Sequence, residues 1–172
     1  RVSFAPVDAD GRIDSAAFEK LLSPETALIT FAYVNSEIGV VQDVRRVVRT
    51  VRKYEREHDT QICVHLDAAQ APLWLSCAMD SLGVDMMSVD AGKCYGPKGV
   101  GLLVHKRRVP LSAQTFGGGQ ERGLRSGTEN VPLIVGCAEA LTIAQEGYAP
   151  RADVVGARRD SFLAALRAAI PG

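Results

Sequence analysis

The sequence predicts an α/β fold: a layered, mostly parallel sheet flanked by helices. Three observations predict it. Apolar runs of strand length, Ala27–Val34, Ile62–Leu66 and Val84–Val89, are separated by stretches of helical period. That alternation builds strand–helix–strand units, whose strands run parallel. Each run also ends in polar residues: Asn35, Ser36 and Glu37, then Asp67 and Gln70, then Asp90 and Lys93. In an open parallel sheet, ligands sit beyond the carboxyl ends of the strands.

The elements follow in order. Arg1–Pro6 is a short apolar strand candidate, and Asp10–Gly11 is a turn. Asp14 caps a helix through Leu22, with Phe18, Leu21 and Leu22 on one face. Ser23–Pro24 stops that helix. Ala27–Val34 is then a buried strand. Asp43 caps the next helix, where Val44, Val47, Val48 and Val51 fall at i, i+3, i+4 and i+7 and form a buried stripe. Arg45, Arg46, Arg49 and Arg52 lie largely on the other side and read as a solvated basic face. Ile62–Leu66 completes a strand–helix–strand unit. Ser76–Leu82 is a short helix and Val84–Val89 another strand. Val100–His105 follows the Gly96–Gly99 turn as an adjacent strand, and Lys106–Leu111 is a basic surface turn. Gly117–Thr128 is a glycine-rich, charged loop. Val131–Glu146 is a helix with Pro132 in its first turn, and Ala152–Ile170 is a second, alanine-rich helix.

The totals bound the function. A chain of 172 residues, 47% hydrophobic and 23% charged, has the makings of one ordinary core. Its 20 basic and 20 acidic residues cancel, so the basic excess that a nucleic-acid or membrane surface needs is missing. No apolar run approaches the ~20 residues of a membrane span. No charged-then-apolar leader is visible, so a cytoplasmic protein is expected. The cysteines, Cys63, Cys77, Cys94 and Cys137, form no C-x-x-C pair. They read as buried thiols rather than zinc ligands. The chain opens at Arg1 without a methionine and closes on Pro171–Gly172 just after an amphipathic run. It is expected to be a piece of a longer protein.

The polar strand ends carry the chemistry. An imine-forming lysine must lose its proton, which a desolvated site favours. Lys93 follows a buried strand, and Ala91 and Gly92 beside it leave room for a ring. Asp67 can hold a pyridine nitrogen in its protonated form, or simply cap the turn Ala68–Ala71. Gln70 can donate to a phenolic ring oxygen. Asn35 can do the same or hold a substrate carboxylate. An acid, an amide and a lysine converging on one sheet edge suit pyridoxal phosphate. In the loop 117–128, Arg122, Arg125, Ser126 and Thr128 suit a phosphate, although the loop lacks the ending of a nucleotide P-loop. G-P-K-G-V-G fails as a dinucleotide fingerprint because it precedes a strand. His65 reads as a core histidine.

With those motifs in place, the chain resembles the cysteine desulfurases that supply sulfur to iron–sulfur clusters and thiolated tRNA. These are members of the class V aminotransferase family of pyridoxal-phosphate enzymes. The matching pieces are V-N-S-E-I-G-V-V-Q-D at 34–43, H-L-D-A-A-Q at 65–70, G-K-C-Y-G-P-K-G-V-G at 92–101 and G-G-G-Q-E-R-G-L-R-S-G-T at 117–128. The resemblance implies part of the large domain of a fold-type I transferase over residues 1–150. Residues 151–172 would then start the helix leading into a C-terminal small domain outside this chain. It implies that Lys93 forms the imine with the cofactor and later moves protons. Asp67 would partner the ring nitrogen, and Gln70 would donate to the ring oxygen. Thr128 would reach the cofactor phosphate of the other subunit in a homodimer. L-cysteine is the implied substrate, with sulfur-acceptor or scaffold proteins as partners.

Three positions depart from the family pattern. Ser36 stands where an asparagine that contacts ring and substrate is common. Asp90 and Gly92 stand where the family has a serine and a histidine on the phosphate. An aspartate there repels a phosphate unless it turns away, and Gly92 would free a backbone donor in compensation. No cysteine of this chain matches the persulfide position, and Cys94, next to Lys93, is expected to point away from the ring. Two rival readings remain. One is another class V reaction, such as transamination or a selenocysteine-lyase-like step. The other is a non-catalytic relative that scaffolds sulfur transfer.

Overall fold

The computed structural model describes residues 1–170; Pro171 and Gly172 lie outside the described residues. Four strands form one sheet: Leu28–Ala32 (β1), Cys63–Asp67 (β2), Met86–Asp90 (β3) and Gly101–His105 (β4), in the order β1-β2-β3-β4. The first three are parallel. β4 returns antiparallel along β3, with Gly101 opposite Asp90. The helices are Ser15–Glu19 (α1), Val44–His58 (α2), Met79–Leu82 (α3), Val131–Glu146 (α4) and Tyr148–Ala169 (α5). This is the layered, mostly parallel α/β arrangement that the sequence predicts.

Side chains alternate across a strand, so each strand presents two different faces. On one face of the sheet Ile29, Phe31, Val64, Leu66, Met87 and Val89 meet the valine stripe of α2. Val51, Val64 and Leu66 are fully buried there. Each such side chain contributes about 2 kcal/mol relative to staying exposed. Asp43 caps α2 by accepting the Arg46 N–H at 3.0 Å, and Asp14 caps α1 through the N–H groups of Ala16 and Ala17. The other face of the sheet is open. Leu28, Thr30, Ala32 and Asp67 are exposed on it, and Cys63, His65, Met86, Ser88 and Asp90 are half-buried.

Several expectations need correcting. Arg1–Pro6 forms no strand; Val7 alone pairs, in an isolated bridge with Ile13. A short run gains ladder bonds only beside a partner strand. Helix α1 ends at Glu19, so Leu21 falls outside it and is 41% exposed while Leu22 is buried. β1 is an edge strand rather than a buried one, with Leu28 52% exposed. α3 starts at Met79 because the chain before it is held in a loop by Gln145. That side chain donates to the carbonyls of Pro72 (2.7 Å) and Leu75 (3.0 Å) and accepts the Cys77 N–H (2.7 Å). α5 starts earlier than expected, at Tyr148, with Pro150 in its first turn, where a missing N–H costs nothing.

Nor is the basic side of α2 uniformly solvated. Arg52 turns inward to Asp85, the fully buried residue just before β3. Asp85 accepts from Arg52 Nη2 (2.5 Å), Arg108 Nη2 (2.6 Å) and the Val64 N–H (2.9 Å), and Lys106 Nζ stands 3.7 Å away. Burial alone would lift the Asp85 pKa. The bonds from Arg108, Arg52 and Val64 outweigh burial and hold it below its ordinary value. One carboxylate thus ties α2, the start of β2, the start of β3 and the turn after β4. The turn at 106–111 is therefore more than a surface feature.

Candidate active site

The pin at Asp85 fixes one edge of the sheet; the polar turns open from the opposite edge. Asp67 lies in register with Ala32 on β1 and Ser88 on β3. Pairing continues to the strand ends, since the Tyr33 N–H donates to Asp67 O (2.8 Å) and the Ala68 N–H to Ser88 O (2.9 Å). Adjacent strand ends thus carry Asn35 and Ser36, then Asp67 and Gln70, then Asp90, Gly92 and Lys93. Thr128 is not among them. It is exposed in the loop before α4, and its side chain makes no hydrogen bond among the described residues.

Each turn has its own chemistry. Asp67 Oδ1 accepts the Ala69 N–H at 3.0 Å, so the carboxylate caps its turn with one oxygen and keeps the other free. Gln70 is half-buried, and its amide has no partner among the described residues. Asn35 Oδ1 accepts the N–H groups of Glu37 (2.9 Å) and Ile38 (3.0 Å), which leaves its amide to donate outward. Ser36 is exposed and its hydroxyl donates to Glu37 Oε1 at 3.4 Å.

Lys93 sits in a tight 3-10 turn, Ala91–Cys94. Its neighbours Ala91 and Cys94 are buried, whereas Lys93 is exposed. The expected desolvated setting is therefore not formed by the described residues, because this end of β3 opens on the uncovered face. Cys94 does point away from the open edge: its thiol donates to Ala91 O at 3.3 Å, and burial pushes its pKa up. Tyr95 closes the turn in the left-handed region (φ 63), and the Gly96 N–H donates to Ala91 O. Helix α4 backs this turn at close range. A Cβ at Gly96 would lie 2.9 Å from Ala140 Cβ, and one at Gly136 would lie 3.2 Å from Pro97 Cγ.

Asp90 differs most from expectation. Its Oδ1 accepts the Gly92 N–H at 2.9 Å, so the carboxylate is turned into its own chain. The same bond corrects the idea that Gly92 frees a backbone donor for a phosphate: that N–H is already taken. D-A-G is a recognisable Asx-turn pattern, the one signal in the sequence that could have revealed the bond. His65 is half-buried on the open face rather than a core residue, and its Nδ1 pairs with Thr30 Oγ1 at 2.8 Å. In the loop 117–128, Arg125 donates to Thr115 Oγ1 and Ser126 O, which turns it inward on its own segment. Among the described residues no cluster of His, Cys, Asp or Glu could hold a metal ion, and no helix is long and apolar enough to cross a membrane.

A pyridine-type cofactor asks for an acid at its ring nitrogen, a donor at its ring oxygen and a primary amine at its aldehyde. Asp67 with one free oxygen, Gln70 with a free amide and Lys93 with a free amine supply that set from neighbouring turns. The donor chemistry fits the group.

Comparison with known proteins agrees with the architecture. The family model described as aminotransferase class-V matches residues 1–159. The chain is 42% identical over 167 residues to the cysteine desulfurase IscS of Methylococcus capsulatus, covering 96% of this chain and 40% of that protein. A solved NifS-like protein superposes with a TM-score of 0.80 at 42% identity, over 85% of this chain and 39% of that one. A structure of SspA in complex with cysteine gives a TM-score of 0.71 at 38% identity, over 82% and 39%. The chain spans 40% of the length of the curated relatives it matches. With the family model matching residues 1–159 and a solved NifS-like protein superposing at a TM-score of 0.80, the chain belongs to the class-V aminotransferase family.

Proposed function

We propose that this chain is the cofactor-bearing part of a pyridoxal-phosphate-dependent cysteine desulfurase. The whole protein converts L-cysteine to L-alanine and passes the sulfur, as a persulfide, to an enzyme cysteine outside this chain. One observation carries the reading. Asp67, Gln70 and Lys93 leave one edge of the sheet on neighbouring turns, in a chain 42% identical to a protein named cysteine desulfurase.

When bound, the cofactor supplies an electron sink for the pair left at the substrate Cα. The chain's own residues do the rest. Asp67 would hold the proton on the ring nitrogen, because an opposite charge at close range favours the charged form. Gln70 donates to the ring oxygen and fixes the ring's orientation. Lys93 would anchor the cofactor through its amine, and that amine, when free, would move the substrate Cα proton. Asn35 and Ser36 line the substrate side. Thr128 serves the phosphate of a second copy in a homodimer, a reading supported by its exposed place in the loop before α4, off the strand ends. Residues 1–150 form part of the cofactor-binding large domain, and the chain from 151 onward leads toward a small domain. The rest of the longer protein covers the open face and desolvates Lys93. The protein works in the cytoplasm, and its sulfur goes to iron–sulfur cluster assembly or tRNA thiolation through acceptor or scaffold proteins.

The test is spectroscopic and chemical. Full-length protein should show the visible absorption of a lysine-bound cofactor, and Lys93→Ala should abolish it. Cysteine with reductant should give alanine plus sulfide. Another class V reaction has one observation in its favour, the substitutions at Ser36, Asp90 and Gly92. A 2-oxo acid in place of alanine, either mercaptopyruvate from transamination or pyruvate released with ammonia and sulfide from β-elimination, would establish it instead.

A further inference from the structure

Asp90 ends β3 with extended backbone (φ -112, ψ 116), and its Oδ1 reaches back to accept the Gly92 N–H at 2.9 Å. The Asp90 carbonyl faces the Cys94 thiol at 3.7 Å. Both contacts brace the turn that bears Lys93. Gly92 belongs to the same device. A Cβ there would stand 3.3 Å from Asp90 Oδ1, so bare backbone at 92 lets the carboxylate lie close against the chain. Ala91 and Cys94 face inward on either side and Lys93 faces out.

We infer that Asp90 is a positioning residue for Lys93: as a hydrogen-bond acceptor on Gly92, it fixes the turn that aims the amine at the open edge. Asp90 and Gly92 act as a matched pair, and neither needs to touch the cofactor phosphate. The inference rests on reading Lys93 as the cofactor lysine. It assigns the work to an acceptor atom rather than to a charge, which separates two substitutions. Asp90→Asn keeps an oxygen in place and should preserve the turn. Asp90→Ala removes the oxygen and should loosen it.

The experiment uses full-length protein loaded with pyridoxal phosphate. Borohydride fixes the cofactor to its lysine, peptide mass spectrometry measures the fraction on Lys93, and hydrogen exchange follows the amides of 91–94. Wild type and Asp90→Asn should label alike. Asp90→Ala should label Lys93 about fivefold less and exchange the Gly92 amide about fivefold faster, the factor expected for one lost cap. Gly92→Ala should reduce labelling in the wild-type background and add nothing in Asp90→Ala, because the oxygen it presses on is gone. Equal labelling of wild type and Asp90→Ala would overturn the inference, as would an Asp90→Asn variant that fails like Asp90→Ala. No adduct on Lys93 in wild type would instead remove the reading of Lys93 itself, and this inference with it.

Discussion

Replacing Asp85 with asparagine tests how the sheet is held in register beneath the candidate site. The substitution keeps the shape and removes the charge. Asn can still accept the Val64 N–H, but its amide nitrogen must then face a guanidinium. Breaking a buried ion pair by removing one partner costs roughly 3–5 kcal/mol. Two features reduce that here. Arg52 keeps Glu55 as a second partner at 2.9 Å, and the Arg108 side chain is 47% exposed, so water replaces part of its bond. The expected loss is about 2–3 kcal/mol at neutral pH. Linkage gives a second signature. The folded pKa of Asp85 lies below its unfolded value, so the stabilisation is complete above the unfolded value of about 3.9 and is lost as pH falls through the folded value. Urea unfolding of wild type and Asp85→Asn at several pH values reads both. The gap should be flat from about pH 8 to 5 and should shrink below about pH 4. A gap under about 1 kcal/mol at neutral pH, or one unchanged in acid, would refute the reasoning.

Other outcomes follow from the same geometry. Gly96→Ala sets a Cβ 2.9 Å from both Ala140 Cβ and Ala91 O, so α4 must move off the Lys93 turn. It should cost about 1–3 kcal/mol in a thermal melt and weaken cofactor retention, whereas Gly119→Ala, in open space, should not clash. His65 is held below its ordinary pKa by burial, with Asp67 opposing more weakly, so its ring should titrate at lower pH than a free histidine in an NMR titration. Its contribution destabilises the fold as pH drops below the unfolded value of about 6.5, because the unfolded chain then binds the proton more readily. Burial pushes the Cys77 thiol up to about 11. Alkylation at pH 8 should be on the order of a hundredfold slower than for a free cysteine, and equal rates would contradict its half-buried setting.

Periodicity and chain order made much of this fold legible. The valine stripe of α2 and the apolar runs of β2 and β3 each answer to one period, and burial enforces it. β1 misled because an apolar run reads alike at a sheet's edge and in its middle, and exposure depends on what lies beside it. Arg52 misled for a related reason. Arg52 shares a helix face with solvated arginines, and only the fold brings its partner from across the sheet. The charged residue inside the run V-D-M-M-S-V was the visible signal, since a buried acid needs partners. For the candidate site, order along the strands was enough to bring Asp67, Gln70 and Lys93 to one edge. The use of Asp90 was not legible from residue type, because a carboxylate near a phosphate site reads as repulsion until its hydrogen bond is seen. Helix α5 likewise reaches back past the expected start at Ala152, because Pro150 is tolerated in a first turn.

The central claim is that the acid at 67 and the amine at 93 hold opposite ends of one aromatic ring. The direct measurement is the 15N resonance of a ring-labelled cofactor in full-length protein and in Asp67→Ala. The account predicts a protonated ring nitrogen in wild type that loses its proton in the variant, while the lysine-bound absorption persists in both. A ring nitrogen unchanged by the substitution would contradict it.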